Sequence, residues 1–291
     1  MTRGGLLALL CISLSACVHT PATIDAQDEG LEAYEKGDKG DVVVFLPGLG
    51  ADVRQFKDDV DVFSKTHRAL TFSMRGHGKS FRPQIAKDDD TNHHTPEAMA
   101  DDVIAELDNR GIKQAHFVGN SMGGLVAFAI LEKRPKLVRT LTTFGTTAEL
   151  HRGGLVAFTV VAATHLIGPT GMGSLATSTA SDNDDVGQLM GEMMATTSKE
   201  ALTQAAQAIA DYDKRELLRQ SKVPYLLLKG EHDDDINSEL ESTLEVLQKR
   251  PHTVVRQVRG AGHLVNLDKP HGVRRELRDF YKRMKSVPHA P

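Results

Sequence analysis

The stretch from Ala115 to Lys133 constrains this chain more than any other. Ala115-His116-Phe117-Val118 is a short apolar run of the kind a buried strand makes, and Met122 to Lys133 has helix composition. Between them lies Gly119-Asn120-Ser121-Met122-Gly123-Gly124, a serine flanked by glycines. Strand, G-x-S-x-G and helix in that order describe a turn so tight that small residues must stand on both sides, lifting the Ser121 hydroxyl clear of the sheet. The helix start adds the Met122 backbone N–H and the positive end of a dipole, both suited to holding an oxyanion.

The rest of the chain supplies a sheet for that turn. Asp41 to Leu46 is a continuous apolar run, as expected for a strand buried on both faces of a parallel sheet. Similar runs follow at Ala69 to Ser73, Leu141 to Phe144, Tyr225 to Lys229 and Thr253 to Val258, and Leu31 to Lys36 reads as a half-buried edge strand. Helical patterns separate them. Thr95 is placed as an N-cap with Pro96 behind it, Gly111 is the stop, and Met99, Val103, Ile104 and Leu107 share one face. Val273, Leu277, Phe280 and Met284 form a similar stripe. Strands alternating with helices predict α/β architecture, a doubly wound and mostly parallel sheet. The 291 residues and 40% hydrophobic content suit one large domain with a small insertion. From Phe144 to Tyr225 no clear strand is visible, whereas Leu155 to Ile167 is apolar, Met190, Met193 and Met194 cluster, and Ser198 to Asp211 is alanine-rich. Residues 147–222 are therefore expected to be an inserted helical cap, with 31–146 and 223–291 forming the core.

The N-terminus reads as a targeting segment. Arg3 precedes an apolar run from Gly4 to Leu14 that is too short to span a membrane as a mature helix. It ends in Leu14-Ser15-Ala16-Cys17, which resembles the lipobox of bacterial lipoproteins. An ordinary signal peptide cut after Ala16 is the other reading. The resemblance implies a signal peptide over 1–16, a lipid on Cys17, a polar tether over 17–30 and attachment to the cell envelope. Val18 at the next position implies the outer membrane, facing the periplasm. The net charge of −4 and the low aromatic content of 5%, with no Trp, argue against a nucleic-acid partner.

A serine needs a base to take its proton and an acid to orient that base. Two strand ends offer them. Tyr225 to Lys229 runs into Gly230-Glu231-His232-Asp233, followed by Asp234 and Asp235, and the strand ending at Val258 runs into Gly260-Ala261-Gly262-His263. Both loops leave the C-terminal edge of the sheet, where Ser121 also sits. Any of the three consecutive aspartates could serve as the acid. A second oxyanion donor is expected from Pro47-Gly48-Leu49-Gly50, through the Leu49 N–H. Gly78-Lys79-Ser80 lacks the earlier glycine a phosphate-binding loop needs, since residue 73 is serine. Asp88 to Asp90 with His93 and His94 lacks metal-ligand spacing.

From about Leu31 to Met284 the chain resembles the α/β-hydrolase superfamily with a helical cap. The oxyanion loop, the Arg75-Gly76-His77-Gly78-Lys79-Ser80 turn, the serine elbow and the paired acid and histidine loops match in order. The resemblance selects Asp233 among the aspartates and implies Ser121 as nucleophile, His263 as base, Leu49 and Met122 as oxyanion donors, and no metal or cofactor. The implied reaction is hydrolysis of a carboxylic ester in a small acyl or lipid-like molecule. Two other readings are carbon–carbon bond hydrolysis of a diketo acid, for which Arg152 or Arg215 would hold the anion, and a non-catalytic lipid-anchored binding protein. Two positions depart from the family: Pro47 stands where His is usual and Ser73 where Asp is common. Asn120 before the serine resembles the elbow of the carbon–carbon bond hydrolases that act on ring-fission products, whereas monoacylglycerol lipases and many esterases more often carry His there.

Overall fold

In a computed structural model, residues 24–25, 30–84, 89–151 and 153–287 are described. Cys17, the proposed targeting segment and Arg152 lie outside the described residues. The main sheet is built from β1 (Ile24–Asp25), β2 (Ala33–Lys36), β3 (Val42–Leu46), β4 (Arg68–Phe72), β5 (Ala115–Asn120), β6 (Val138–Phe144), β9 (Tyr225–Gly230) and β10 (Thr253–Val258). Its order is β1-β2-β4-β3-β5-β6-β9-β10. From β4 to β10 all neighbours are parallel, and β1 and β2 close one edge in antiparallel fashion.

Both faces of the sheet are covered, and side-chain alternation along each strand divides the core between them. On β3, Val44 and Leu46 join one apolar cluster while Val43 and Phe45 join the other. On β9, Tyr225 and Leu227 face the first, and Leu226 and Leu228 the second. The first face is covered by α2 (Pro96–Asn109) and α3 (Met122–Lys133), with Met99, Val103 and Leu107 of α2 inward. The second face is covered by α1 (Lys57–Phe63) and α11 (Pro270–Met284), through Val60, Phe63, Val273, Leu277 and Phe280. Thr95 caps α2, its hydroxyl accepting from the Ala98 N–H, and Pro96 occupies the first turn. α3 has no polar face to speak of, since every residue from Met122 to Leu131 is buried. That burial holds the serine turn at its N-terminus rigidly in place.

Between β6 and β9 the chain forms α4 (Gly153–Thr179), α5 (Asp184–Ala195), α6 (Lys199–Ala208) and α7 (Arg215–Gln220). Gly168, at φ 67° and ψ 178°, breaks α4 just before Pro169. Two details differ from an all-helical insertion. β7 (Glu149–His151) and β8 (Asp211–Asp213) pair antiparallel at its base. These strands are three residues each, too short to show an alternation in sequence. In addition, α7 packs on α9 (Glu241–Gln248), which belongs to the main domain. α5 is seated through a third apolar cluster in which Val186, Met190 and Met193 meet Ala51 and Leu264. Among the described residues no helix is long and apolar enough to cross a membrane.

Candidate active site

Ser121 occupies the turn between β5 and α3 at φ 51° and ψ −119°, one of two non-glycine residues with positive φ among those described. That region is costly for an L-residue and persists only when the surroundings impose it. Here they do. A side chain at Gly123 would strike the Leu46 and Pro47 carbonyls, and one at Gly119 would strike the Gly123 backbone, so strand, turn and helix can approach this closely only with glycine at both positions. The Ser121 N–H donates to the Phe144 carbonyl at 2.9 Å, while the Thr146 hydroxyl donates to the Ser121 carbonyl at 2.9 Å. The hydroxyl of Ser121 makes no capping bond to α3, although it stands at the helix start.

His263 lies on the loop after β10, and its Nδ1 is 3.1 and 3.2 Å from the two carboxylate oxygens of Asp233. Asp233 ends the loop after β9 and begins α8 (Asp234–Asn237); its side chain is 4% exposed, whereas that of His263 is 37% exposed. Asp234 and Asp235 are exposed. The chain therefore buries one of the three aspartates against the imidazole and leaves the next two exposed, Asp235 at the rim of the Ser121 cavity. Ser121, Asp233 and His263 line one cavity of about 320 Å³, with Leu49, Met122, Leu125, Leu150 and Ile209 among its walls. A second cavity of about 360 Å³ also opens on Ser121, Leu49 and His263, and is bounded by Ala176, Met190 and Met194. Among the described residues, neither the Leu49 nor the Met122 N–H donates to a protein acceptor.

The departures from the family pattern have physical accounts. Ser73 stands where a carboxylate is common, and Glu32 supplies one from the edge strand instead. The Ser73 hydroxyl donates to Glu32 Oε2 at 2.7 Å and accepts from the Val53 N–H at 3.0 Å, and the Lys79 N–H donates to the same Glu32 oxygen at 2.9 Å. The Arg75 to Ser80 turn is thus pinned to the sheet edge. At the oxyanion loop, the Gly48 N–H donates to Gln55 Oε1 at 3.0 Å. Asn120 is 1% exposed and hydrogen-bonded within the protein at both ends of its amide.

Arg215 pairs with Asp213 and Glu149, both at 2.7 Å, and lines neither cavity. The chain has 13 histidines, so the others must be weighed as bases. Burial pulls the His77 imidazole down to about 4, keeping it neutral, and burial likewise lowers His94 and His116. None of these three lines either cavity. No cluster of metal-ligating side chains occurs among the described residues. Sequence reasoning missed Glu32, Gln55 and Asn266, polar residues whose partners are distant in the chain and leave no local pattern.

Sheet order, helix placement and the serine turn define a hydrolase of the doubly wound class. The chain belongs to the alpha/beta hydrolase family, which it matches over residues 43–276. It is 25% identical over 265 residues to 3-oxoadipate enol-lactonase 1 of Acinetobacter baylyi, an alignment covering 87% of this chain and 93% of that protein. Among solved structures, the enol-lactonase from Burkholderia xenovorans superposes with a TM-score of 0.73 at 22% identity, over 87% of this chain and 96% of that one. A thermophilic esterase from Thermogutta terrifontis superposes with a TM-score of 0.74 at 23% identity, over 89% and 94%. These two structures share the fold.

Proposed function

We propose that this protein hydrolyses carboxylic esters through a serine nucleophile. The observation that carries the reading is the buried Asp233 carboxylate at 3.1 Å from His263 Nδ1, in a cavity whose floor is a serine held at positive φ on a helix N-terminus. In this reading Ser121 Oγ attacks the ester carbonyl as His263 Nε2 takes its proton. The Asp233 carboxylate holds Nδ1–H and stabilises the imidazolium. The oxyanion accepts from the Leu49 and Met122 N–H groups. His263 returns the proton to the leaving alcohol, and the acyl group stays on Ser121. Water then attacks the acyl-enzyme, giving its proton to His263, and Ser121 leaves as the alcohol once reprotonated. A lactone is a cyclic ester and would follow the same steps, which agrees with the enol-lactonase and esterase names among the similar proteins. Carbon–carbon hydrolysis of a diketo acid calls for an arginine in the pocket; of the two candidates, Arg215 is held by two carboxylates outside it and Arg152 lies outside the described residues. A panel of esters graded in acyl length, read alongside fluorophosphonate labelling, tests the proposal. Absence of both turnover and labelling would favour a binding role.

The apolar walls point to an apolar acyl group, and the methionine cluster divides in two. Met190 and Met194 border the second cavity, whereas Met193 is wholly buried, with its sulfur 3.5 Å from the Asp52 N–H. Met194→Ala is expected to shift the preferred acyl length upward with little change in melting temperature. Met193→Ala is expected to lower stability by about 2–4 kcal/mol and leave that preference alone. Acyl-length profiles and denaturation of the two variants check this, and the reverse pattern would contradict it.

We also propose the envelope address, on the sequence Leu14-Ser15-Ala16-Cys17. Cys17→Ala should move the protein out of the membrane fraction or stall its processing, and unchanged fractionation would end the proposal.

A further inference from the structure

Ser121, His263 and the oxyanion donor at Leu49 come from three separate loops, and their relative positions must hold to a fraction of an ångström for hydrolysis to be fast. One buried amide chain joins all three loops. Gln55, in the short 3-10 turn Val53–Gln55 behind the oxyanion loop, accepts the Gly48 N–H at 3.0 Å and donates from Nε2 to Asn120 Oδ1 at 2.8 Å. Asn120, next to Ser121, donates from Nδ2 to the His263 carbonyl at 3.1 Å and to the Phe144 carbonyl at 3.3 Å. The far side of Gln55 is anchored as well. Asn266 Nδ2 donates to the Gln55 carbonyl at 2.9 Å and to Asp59 Oδ2 at 3.1 Å, and Arg274 Nε donates to Asp59 Oδ1 at 2.7 Å. Gln55, Asn120 and Asn266 are each 1% exposed.

We infer that Gln55 and Asn120 act together as a positioning strut that sets the Leu49 donor and His263 at fixed distances from Ser121. The inference rests on the ester-hydrolase reading above. A buried amide whose partner is removed is left unsatisfied, so the two members cannot act independently. The strut also accounts for the residues at positions 47 and 120, where many esterases carry histidine. With Pro47 in place of histidine, the oxyanion loop is held from behind by Gln55. With Asn120 in place of histidine, the residue beside the nucleophile reaches back to the loop of the base. Neither side chain is required to touch substrate; both act through the residues they hold.

The test is a double-mutant cycle on the full chain with Gln55→Met, Asn120→Leu and the double variant. A short-chain p-nitrophenyl ester is the substrate, and rates are normalised to active sites titrated with a fluorophosphonate. Each single variant is expected to lose at least about tenfold in kcat with KM within about twofold, because misplacement affects the transition state more than ground-state binding. The double variant is expected to lose about as much as the worse single variant, since removing either end disables the strut. If the variants only lower the titratable fraction while kcat per active site stays normal, the residues are structural and the inference falls. Multiplying losses, or a rise in KM alone, would overturn it too. Asn120→Asp is isosteric and keeps an acceptor for Gln55 Nε2 while losing the ordinary amide donor; it carries the same test if Asn120→Leu does not fold. Loss of activity in Ser121→Ala with normal kcat in Gln55→Met would remove the strut and leave the ester-hydrolase reading standing. Full activity in Ser121→Ala would remove the reading itself.

Discussion

Ser121→Ala is expected to leave a folded protein that hydrolyses esters at least about a thousandfold more slowly, because the change deletes the nucleophile itself. Folding should survive, since the hydroxyl neither caps α3 nor serves as the hydrogen-bonding atom in the turn; the backbone N–H and carbonyl do that. Alanine faces the same positive φ as serine, so the local strain is unchanged. Ser121→Gly removes that strain and should melt slightly higher than the alanine variant while being equally inactive. The measurements are kcat/KM on the best ester of the panel, fluorophosphonate labelling and thermal unfolding. Retained hydrolysis in a verified Ser121→Ala preparation would place the chemistry elsewhere.

Asp233→Asn is expected to be nearly as damaging, on the order of a thousandfold in kcat, without unfolding the protein. The amide fits the same buried space but offers its N–H to His263 as readily as its oxygen. The imidazole then loses the fixed tautomer that leaves Nε2 free to accept a proton, and its protonated form loses the facing charge. Asp234→Asn and Asp235→Asn should cost far less than Asp233→Asn, because both side chains are exposed and the His263 Nδ1 contacts run to the Asp233 carboxylate. His263→Ala should match Ser121→Ala, since the three residues act as a unit. A large loss in Asp234→Asn or Asp235→Asn with a mild Asp233→Asn would contradict the arrangement around His263.

Much of the fold was legible in the sequence because its signals are local. The apolar runs at Asp41–Leu46 and Tyr225–Lys229 become β3 and β9, and Thr95-Pro96 starts α2 where capping chemistry places it. The glycines around Ser121 announced a tight turn, and the loops carrying Asp233 and His263 followed strands, so all three residues reach the same sheet edge. Periodicity, capping and turn chemistry each act over a few residues, and a few residues suffice to read them.

Only the tertiary structure decided which of several equivalent residues does what. Three adjacent aspartates are alike in sequence, but the path of the chain into α8 buries Asp233 against His263 and exposes the next two. Met193 and Met194 are adjacent and chemically identical, yet a helix sends one into the packing beneath α5 and the other to the cavity wall. Gln55 meets Asn120 across 65 residues and Asn266 across 211, and Glu32 replaces a missing aspartate from 41 residues away. Contacts of that kind depend on how whole elements pack, and no short window of sequence contains both partners.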